Sequence, residues 1–377
     1  MKILHLSDDG LPDWRVEKSA LTAVKQGHQV FFAGRLRDYT KGNHFSEVYR
    51  IHWTAGALIG FPYYYHCVKK QVKKLVKLVK PDIVHSHNIG SAKISNDLGL
   101  PFVFDDHEYF TVLSKVNAEN VKGTTGSKNE SGPSKFISEA KSKFVVSQSL
   151  AKWPQWEGEA VCSAPTITVS EPIARALRKK AGSKNIFVVP NFPLKAETSD
   201  IERPLLHDEL SSVYAGGDKK NDRVSNRDIS GLTDVFVKND IGPLTIIGWE
   251  QQLSGKIKAT GFLPRKEMYH EMYKNSIGLV PWKKHWSHPF LNPNKAYEYA
   301  HAGLFVMLTA DLTSLTETLG ANCTTFEDYG DMVEKVRYYA QNKDELYGKR
   351  VKIFDFARNN LIWENYEEQI MNAYSLC

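Results

Sequence analysis

From Lys2 to Phe326 the chain alternates short apolar runs with segments of helical period, and it does so in two successive sets. The first set of runs covers 2–7, 28–34, 49–54, 82–87, 102–106, 166–170 and 186–190. The second opens at Ser212-Val213-Tyr214-Ala215-Gly216-Gly217 and continues at 244–248, 257–261, 277–282, 305–309 and 323–326. Several runs are apolar on both faces, as strands of a parallel sheet covered by helices must be. Turns such as Lys80-Pro81-Asp82 and Gly99-Leu100-Pro101 stop a helix and start a strand. This alternation predicts an α/β chain of two Rossmann-like βαβ domains facing a central cleft. The length of 377 residues agrees, because one core rarely grows so far. The polar stretch 196–208 after Asn191-Phe192-Pro193 reads as the linker, which gives domains of 1–195 and 196–354.

A formal charge of +6 fits an anionic small ligand or a lipid surface and is too small to argue for nucleic acid. Cys67, Cys162, Cys323 and Cys377 are far apart and form no CxxC pair, which speaks against a zinc site or disulfide framework and for a reducing compartment. The chain begins directly with a strand, and no apolar run reaches the ~18 residues of a membrane span. We therefore expect a cytoplasmic protein, at most peripheral on the inner face of the cell membrane.

Three strand ends of the first domain carry polar groups: Ser7-Asp8-Asp9-Gly10 followed by Asp13-Trp14-Arg15, His85-Ser86-His87-Asn88, and Asp105-Asp106-His107-Glu108. If these strands are parallel neighbours, the ends meet at one sheet edge and form a site for proton transfer or for gripping sugar hydroxyls. His107 and Glu108, past their strand, are catalytic candidates together with Lys295 of the second domain. His85 alternates with apolar positions and reads as a core histidine. The spacing fits no metal-ligand set, so no metal is expected. Segment 114–134, rich in Lys, Ser, Gly, Asn and Thr, reads either as a mobile acceptor loop or as a solvated insertion.

In the second domain Pro293-Asn294-Lys295 opens a helix that carries Glu298 and closes at Gly303. Such a turn suits an anion. Lys295 adds positive charge, and Glu298, on the same face, can accept from a ribose diol. Gly216-Gly217 would let a phosphate approach the backbone, with Lys219, Lys220, Arg223 and Arg227 nearby. Arg265 either lines the phosphates or caps its helix. Trp282 and the loop His285-Trp286-Ser287-His288 offer rings for stacking on a sugar. In 68–79, Val68, Val72, Leu75, Val76 and Val79 form an apolar stripe among Lys69, Lys70, Lys73, Lys74, Lys77 and Lys80. That stripe packs on the sheet, and the lysines are either simply solvated or meet anionic lipid.

Together these residues resemble glycosyltransferase family 4, of the GT-B fold (glycosyl transferases group 1). The run Lys80–His87 is similar to a family strand, Asp106-His107-Glu108 to its polar end, and Ile167–Glu171 and Val188–Asn191 to later strands. Gly261–Arg265 and Pro293–Gly303 resemble the donor-side loop and helix. Residues 354–374, with Trp363-Glu364, resemble a final helix crossing back onto the first domain, so that about 355–377 would complete it. The resemblance implies a metal-independent hexosyltransferase that moves a sugar from a nucleotide-sugar donor to an acceptor hydroxyl with retention. It implies that Glu298 binds the ribose, Asn294 and Lys295 the diphosphate or donor sugar, that Gly216 and Gly217 lie near the phosphates, and that His107 touches the donor sugar. No cofactor beyond the donor is implied. A polysaccharide, glycoprotein glycan or lipid-linked glycan is the expected product.

One departure stands out: the family's first glutamate would fall at Phe290. It motivates two alternatives, a non-catalytic nucleotide-sugar-binding relative or partner subunit, and a nucleotide-sugar epimerase.

Overall fold

The computed structural model describes residues 1–37, 44–53, 60–124, 133–182, 185–217, 225–251, 253 and 255–377, with the side chains of 122–142 left aside. The residues form two compact units, Met1–Pro190 with Tyr366–Cys377, and Asn191–Asn365.

In the first unit the order is β1 (Lys2–Leu11), α1 (Trp14–Lys25), β2 (Gln29–Leu36), β3 (Glu47–Arg50), α2 (Pro62–Val79), β4 (Ile83–His87), α3 (Asn88–Asp97), β5 (Phe102–Asp106), α4 (Phe110–Thr124), α5 (Pro133–Ser163), β6 (Thr166–Thr168), α6 (Glu171–Ala181) and β7 (Ile186–Val188). The strands make one parallel sheet in the order β3-β2-β1-β4-β5-β6-β7. The chain winds outward from β1 in one direction and from β4 in the other, so the switch point lies between β1 and β4, where such folds hold ligands. Every residue of β4 and β5 is buried, which requires helices on both faces.

The second unit continues with β8 (Ser212–Ala215), α7 (Leu232–Asn239), β9 (Leu244–Ile247), β10 (Ile257–Ala259), α8 (Arg265–Tyr273), β11 (Ile277–Val280), α9 (Lys295–His301), β12 (Phe305–Thr309), α10 (Thr313–Leu319), β13 (Cys323–Phe326), α11 (Tyr329–Gln341) and α12 (Lys343–Asn360). Its parallel sheet runs β10-β9-β8-β11-β12-β13, with the switch point between β8 and β11. The last helix, α13 (Glu367–Ser375), belongs to the first unit, where Ile370, Ala373 and Tyr374 are buried.

Three segments differ from the sequence reading. The expected loop at 114–134 is helical up to Thr124 and again from Pro133, and 125–132 lie outside the described residues. Its start is held by the buried Phe110, Val112 and Val116, which outweigh a polar composition that alone reads as loop. The expected single C-terminal helix is two helices, because Leu361, Ile362 and Trp363 turn inward between them and Trp363 N–H donates to the Pro193 carbonyl at 3.0 Å. The helix at Lys295 has only seven residues, begins after Pro293-Asn294, and its Asn294 side chain makes no capping bond.

Along α2 the stripe Val68, Val72, Leu75 and Val79 is buried. Lys70, Lys73, Lys74, Lys77 and Lys80 are exposed, whereas Lys69 lies 3.6 Å from Asp97 and over the Tyr65 ring. Among the described residues no helix is long and apolar enough to cross a membrane.

Candidate functional site

Register builds the polar cluster of the first unit. Ser7 pairs with His87, and His87 with Asp105, in one row at the carboxyl edge of the sheet. His5 and His85 form the row two residues earlier. Because alternate residues share a face, His5, His85 and His87 lie on the same side. Their rings stack with centroids 4.2–5.2 Å apart.

Asp105 is the hub. Arg15 donates to it from Nε (3.0 Å to both oxygens) and Nη2 (2.7 Å to Oδ1), while Nη1 donates to the Val189 carbonyl at 2.8 Å. Asp13 caps α1 by accepting from the N–H groups of Arg15 and Val16, and so aims the arginine. His85 Nε2 lies 3.2 Å from Asp105 Oδ2, and Tyr374 Oη lies 2.7 Å from His85 Nδ1. His5 Nδ1 lies 2.9 Å from His87 Nε2, and His87 Nδ1 3.0 Å from His107 Nε2.

Burial by itself would raise the Asp105 carboxyl, but Arg15 and His107 outweigh it and hold it well below the carboxylate range. Burial lowers His5, His85 and His87, which favours their neutral forms. Burial also acts to lower His107, yet the Asp105 carboxylate prevails and raises it. Asp106 is raised well above its ordinary value by burial and by Glu157 and Asp105 nearby, which favours its neutral form. Asp8 is pushed up to about 7 by burial and by Asp9, although Gly90 N–H donates to its carboxylate at 3.1 Å. Glu108, half-buried, contributes to the field that raises Asp106.

The sequence reading pointed to the three strand ends, and the structure brings them together. It places His85 in the core, fully buried and bonded on both nitrogens. The roles of Arg15 as counter-ion and of His5 and Tyr374 as partners were missed. Only His5, two residues before Ser7 on β1, carried a signal, in the period of two it shares with His85 and His87.

In the second unit Gly216-Gly217 follow directly on β8, and Lys219, Lys220 and Arg223 lie outside the described residues. A Cβ at Gly216 would fall 2.3 Å from the Tyr214 hydroxyl, and Gly248, at φ +103°, would place one 2.3 Å from the Gly216 carbonyl oxygen. Bare backbone is therefore obligatory here. Lys295 is half-buried, with Nζ 4.3 Å from the centre of the Tyr214 ring and 5.2 Å from that of Trp282. Arg227 lies over the same Trp282 ring at 5.7 Å. Burial lowers the Lys295 ammonium, and Arg227 adds to this against the opposing pull of Tyr214 and Glu298. Among the described residues no carboxylate forms an ion pair with Lys295. Among the described residues the buried Trp282 indole N–H has no hydrogen-bond partner.

Arg265 neither caps its helix nor stands alone. It donates from Nη1 to Glu298 Oε1 at 2.8 Å, from Nη2 to the Tyr269 hydroxyl at 3.2 Å, and from Nε to Glu197. It thereby fixes the Glu298 carboxylate. The short α9 has only a small dipole, so the positive potential here comes mainly from Lys295 and Arg227.

Residues 19–192 match the family model described as Glycosyltransferase Family 4. Over that stretch, a little under half of the chain, the sequence is similar to family 4 glycosyltransferases. Similar solved structures include a sucrose-phosphate synthase from Thermosynechococcus elongatus (12% identity, TM-score 0.70, covering 100% of this chain and 98% of that one). HepE from Anabaena in complex with UDP-glucose matches at 12% identity and TM-score 0.65, covering 100% and 99%. A glycosyltransferase from Rickettsia africae matches at 12% and 0.62, covering 99% and 97%. These likenesses give the whole chain the GT-B fold. No curated protein sequence matches this chain.

Proposed function

We infer that this glycosyltransferase moves a hexosyl group from a nucleoside-diphosphate sugar to an acceptor hydroxyl, with retention, in the synthesis of a cell-surface or lipid-linked glycan. The carrying observation is Lys295, a half-buried cation with two aromatic rings around it and no ion pair among the described residues. A positive charge partly withdrawn from water in this way gains when an anion arrives to balance it. The leaving diphosphate is such an anion, and Lys295 with Arg227 stabilises the charge that develops on it. Asn294 and the bare backbone of Gly216-Gly217 complete the phosphate contacts. Glu298, fixed by Arg265, accepts from the ribose diol. The indole N–H of Trp282 is available to a donor-sugar oxygen.

The first unit binds the acceptor, and His107 with Glu108 handles sugar hydroxyls and their protons. The positive side chains take the role that a metal plays elsewhere at a diphosphate, so transfer proceeds without a metal at that place. The exposed lysines of α2 hold the enzyme on an anionic membrane surface. HepE, solved with UDP-glucose, supports a uridine donor.

The test is a thermal-shift screen against UDP-, GDP-, ADP- and TDP-sugars, with Lys295→Met as control. A melting-temperature rise for one nucleotide class, lost in the variant, supports the reading. No rise for any donor overturns it. Donor binding without transfer to any acceptor would instead favour the non-catalytic reading motivated by Phe290.

A further inference from the structure

The geometry points to a zinc-class cation site in the first unit, formed by His87 Nδ1, His107 Nε2 and Asp105 Oδ2. These three atoms form a triangle with sides of 3.0, 3.4 and 3.4 Å. Ligands at the usual Zn–N and Zn–O lengths in a tetrahedral shell lie about 3.3 Å apart, so the triangle is close to one face of that tetrahedron. A hydrogen bond between the two imidazoles explains one edge only. The other two, at 3.4 Å, are long for hydrogen bonds and match the ligand spacing.

The rings of His87 and His107 meet at 69°, which lets in-plane lone pairs converge on one point. The neighbouring set His5, His85 and His87 also brings three ligand atoms close, but those rings are stacked within 10–27° of parallel, so their in-plane lone pairs do not converge. The proposal therefore does not extend to that set.

The surroundings supply what an outer shell must. With Nδ1 on the metal, His87 keeps its proton on Nε2 and donates it to His5 Nδ1 at 2.9 Å, which fixes tautomer and ring orientation. Arg15 grips Asp105 through Oδ1 and shares Oδ2 through Nε, so the carboxylate stays ionised and oriented. Its charge also weakens the site relative to one with an unpaired carboxylate. The His107 side chain retains 13% of its exposure, which gives an ion and a fourth, solvent ligand a way in. Two imidazoles, one carboxylate and one open position suit Zn²⁺ or Co²⁺ better than Mg²⁺ or Ca²⁺, which prefer oxygen. Since the proposed function uses His107 at the sugar, an occupied site would slow transfer. That consequence rests on the functional reading; binding itself does not.

The experiment takes the full chain freed of metal with EDTA and adds Zn²⁺ or Co²⁺. The expected result is one ion per chain retained through dialysis, a higher melting temperature with Zn²⁺, and the intense visible bands of tetrahedral Co²⁺. His107→Ala should lower affinity by more than the roughly 10–100-fold that outer-shell losses cost. His107→Gln gives a second variant should the alanine chain fold poorly, and His270→Gln, on the surface, should bind as before. No retained ion, weak octahedral Co²⁺ bands, or equal binding by a folded His107 variant would overturn the site, whatever the transfer assay shows.

Discussion

Arg15, in the first turn of α1, lays its guanidinium on the carboxylate of Asp105 at the end of β5, with Nη2 2.7 Å from Oδ1 and both side chains almost wholly buried. Ninety positions of chain separate the two residues. Around this pair His85, His87 and His107 assemble, so the arrangement of the polar cluster depends on it.

Removing one partner leaves the other charge buried. Arg15→Met should destabilise the chain by about 3–5 kcal/mol, and Asp105→Asn similarly, with the double variant costing less than the sum. Urea unfolding of the three variants checks this. Fully additive losses would mean that the residues do not act as a pair.

Lys295→Met keeps volume and removes charge. We expect transfer to fall by ~10²–10³-fold while the unfolding temperature stays the same or rises, because the variant no longer holds a partly desolvated cation. Steady-state rates and calorimetry on one preparation test both halves. A large loss of stability would assign Lys295 to the core instead.

Asp8 has a folded-state pKa raised to about 7 from an ordinary value of 3.8. The folded state therefore binds more protons than the unfolded one between those values, and stability falls as pH rises across that window, by at most about 1.4 kcal/mol per unit. Below about pH 3.8 the contribution is fully present. Asp8→Asn should flatten this decline between pH 4 and 7, as read from denaturant midpoints. Identical pH curves for the two proteins would remove Asp8 from the account.

Replacing Lys70, Lys73, Lys74 and Lys77 together by Gln leaves the buried stripe of α2 intact. The fold should survive, and sedimentation with anionic vesicles at low salt should drop sharply. Equal sedimentation of both proteins would exclude this face as a membrane contact.

How far the site was legible can be judged at particular residues. Lys295 and Glu298 stand three positions apart, and helix period was enough to read them as one face. His107 and Glu108 were visible because they follow an apolar run. Arg265 was ambiguous, since its partners Glu197 and Glu298 come from 68 and 33 positions away. The helical course of 114–124 was hidden because its composition is polar and its buried contacts lie on α5.

Outside segments such as 114–134, sequence by itself determined where strands and helices run and that they form two parallel α/β sheets, because period and two-faced burial are local properties written into neighbouring residues. Tertiary structure alone decided which charges meet. His87, Asp105 and Arg15 touch only through the register of β1, β4 and β5 and the docking of α1, and strand register across a sheet is settled by packing over the whole unit rather than by any one segment.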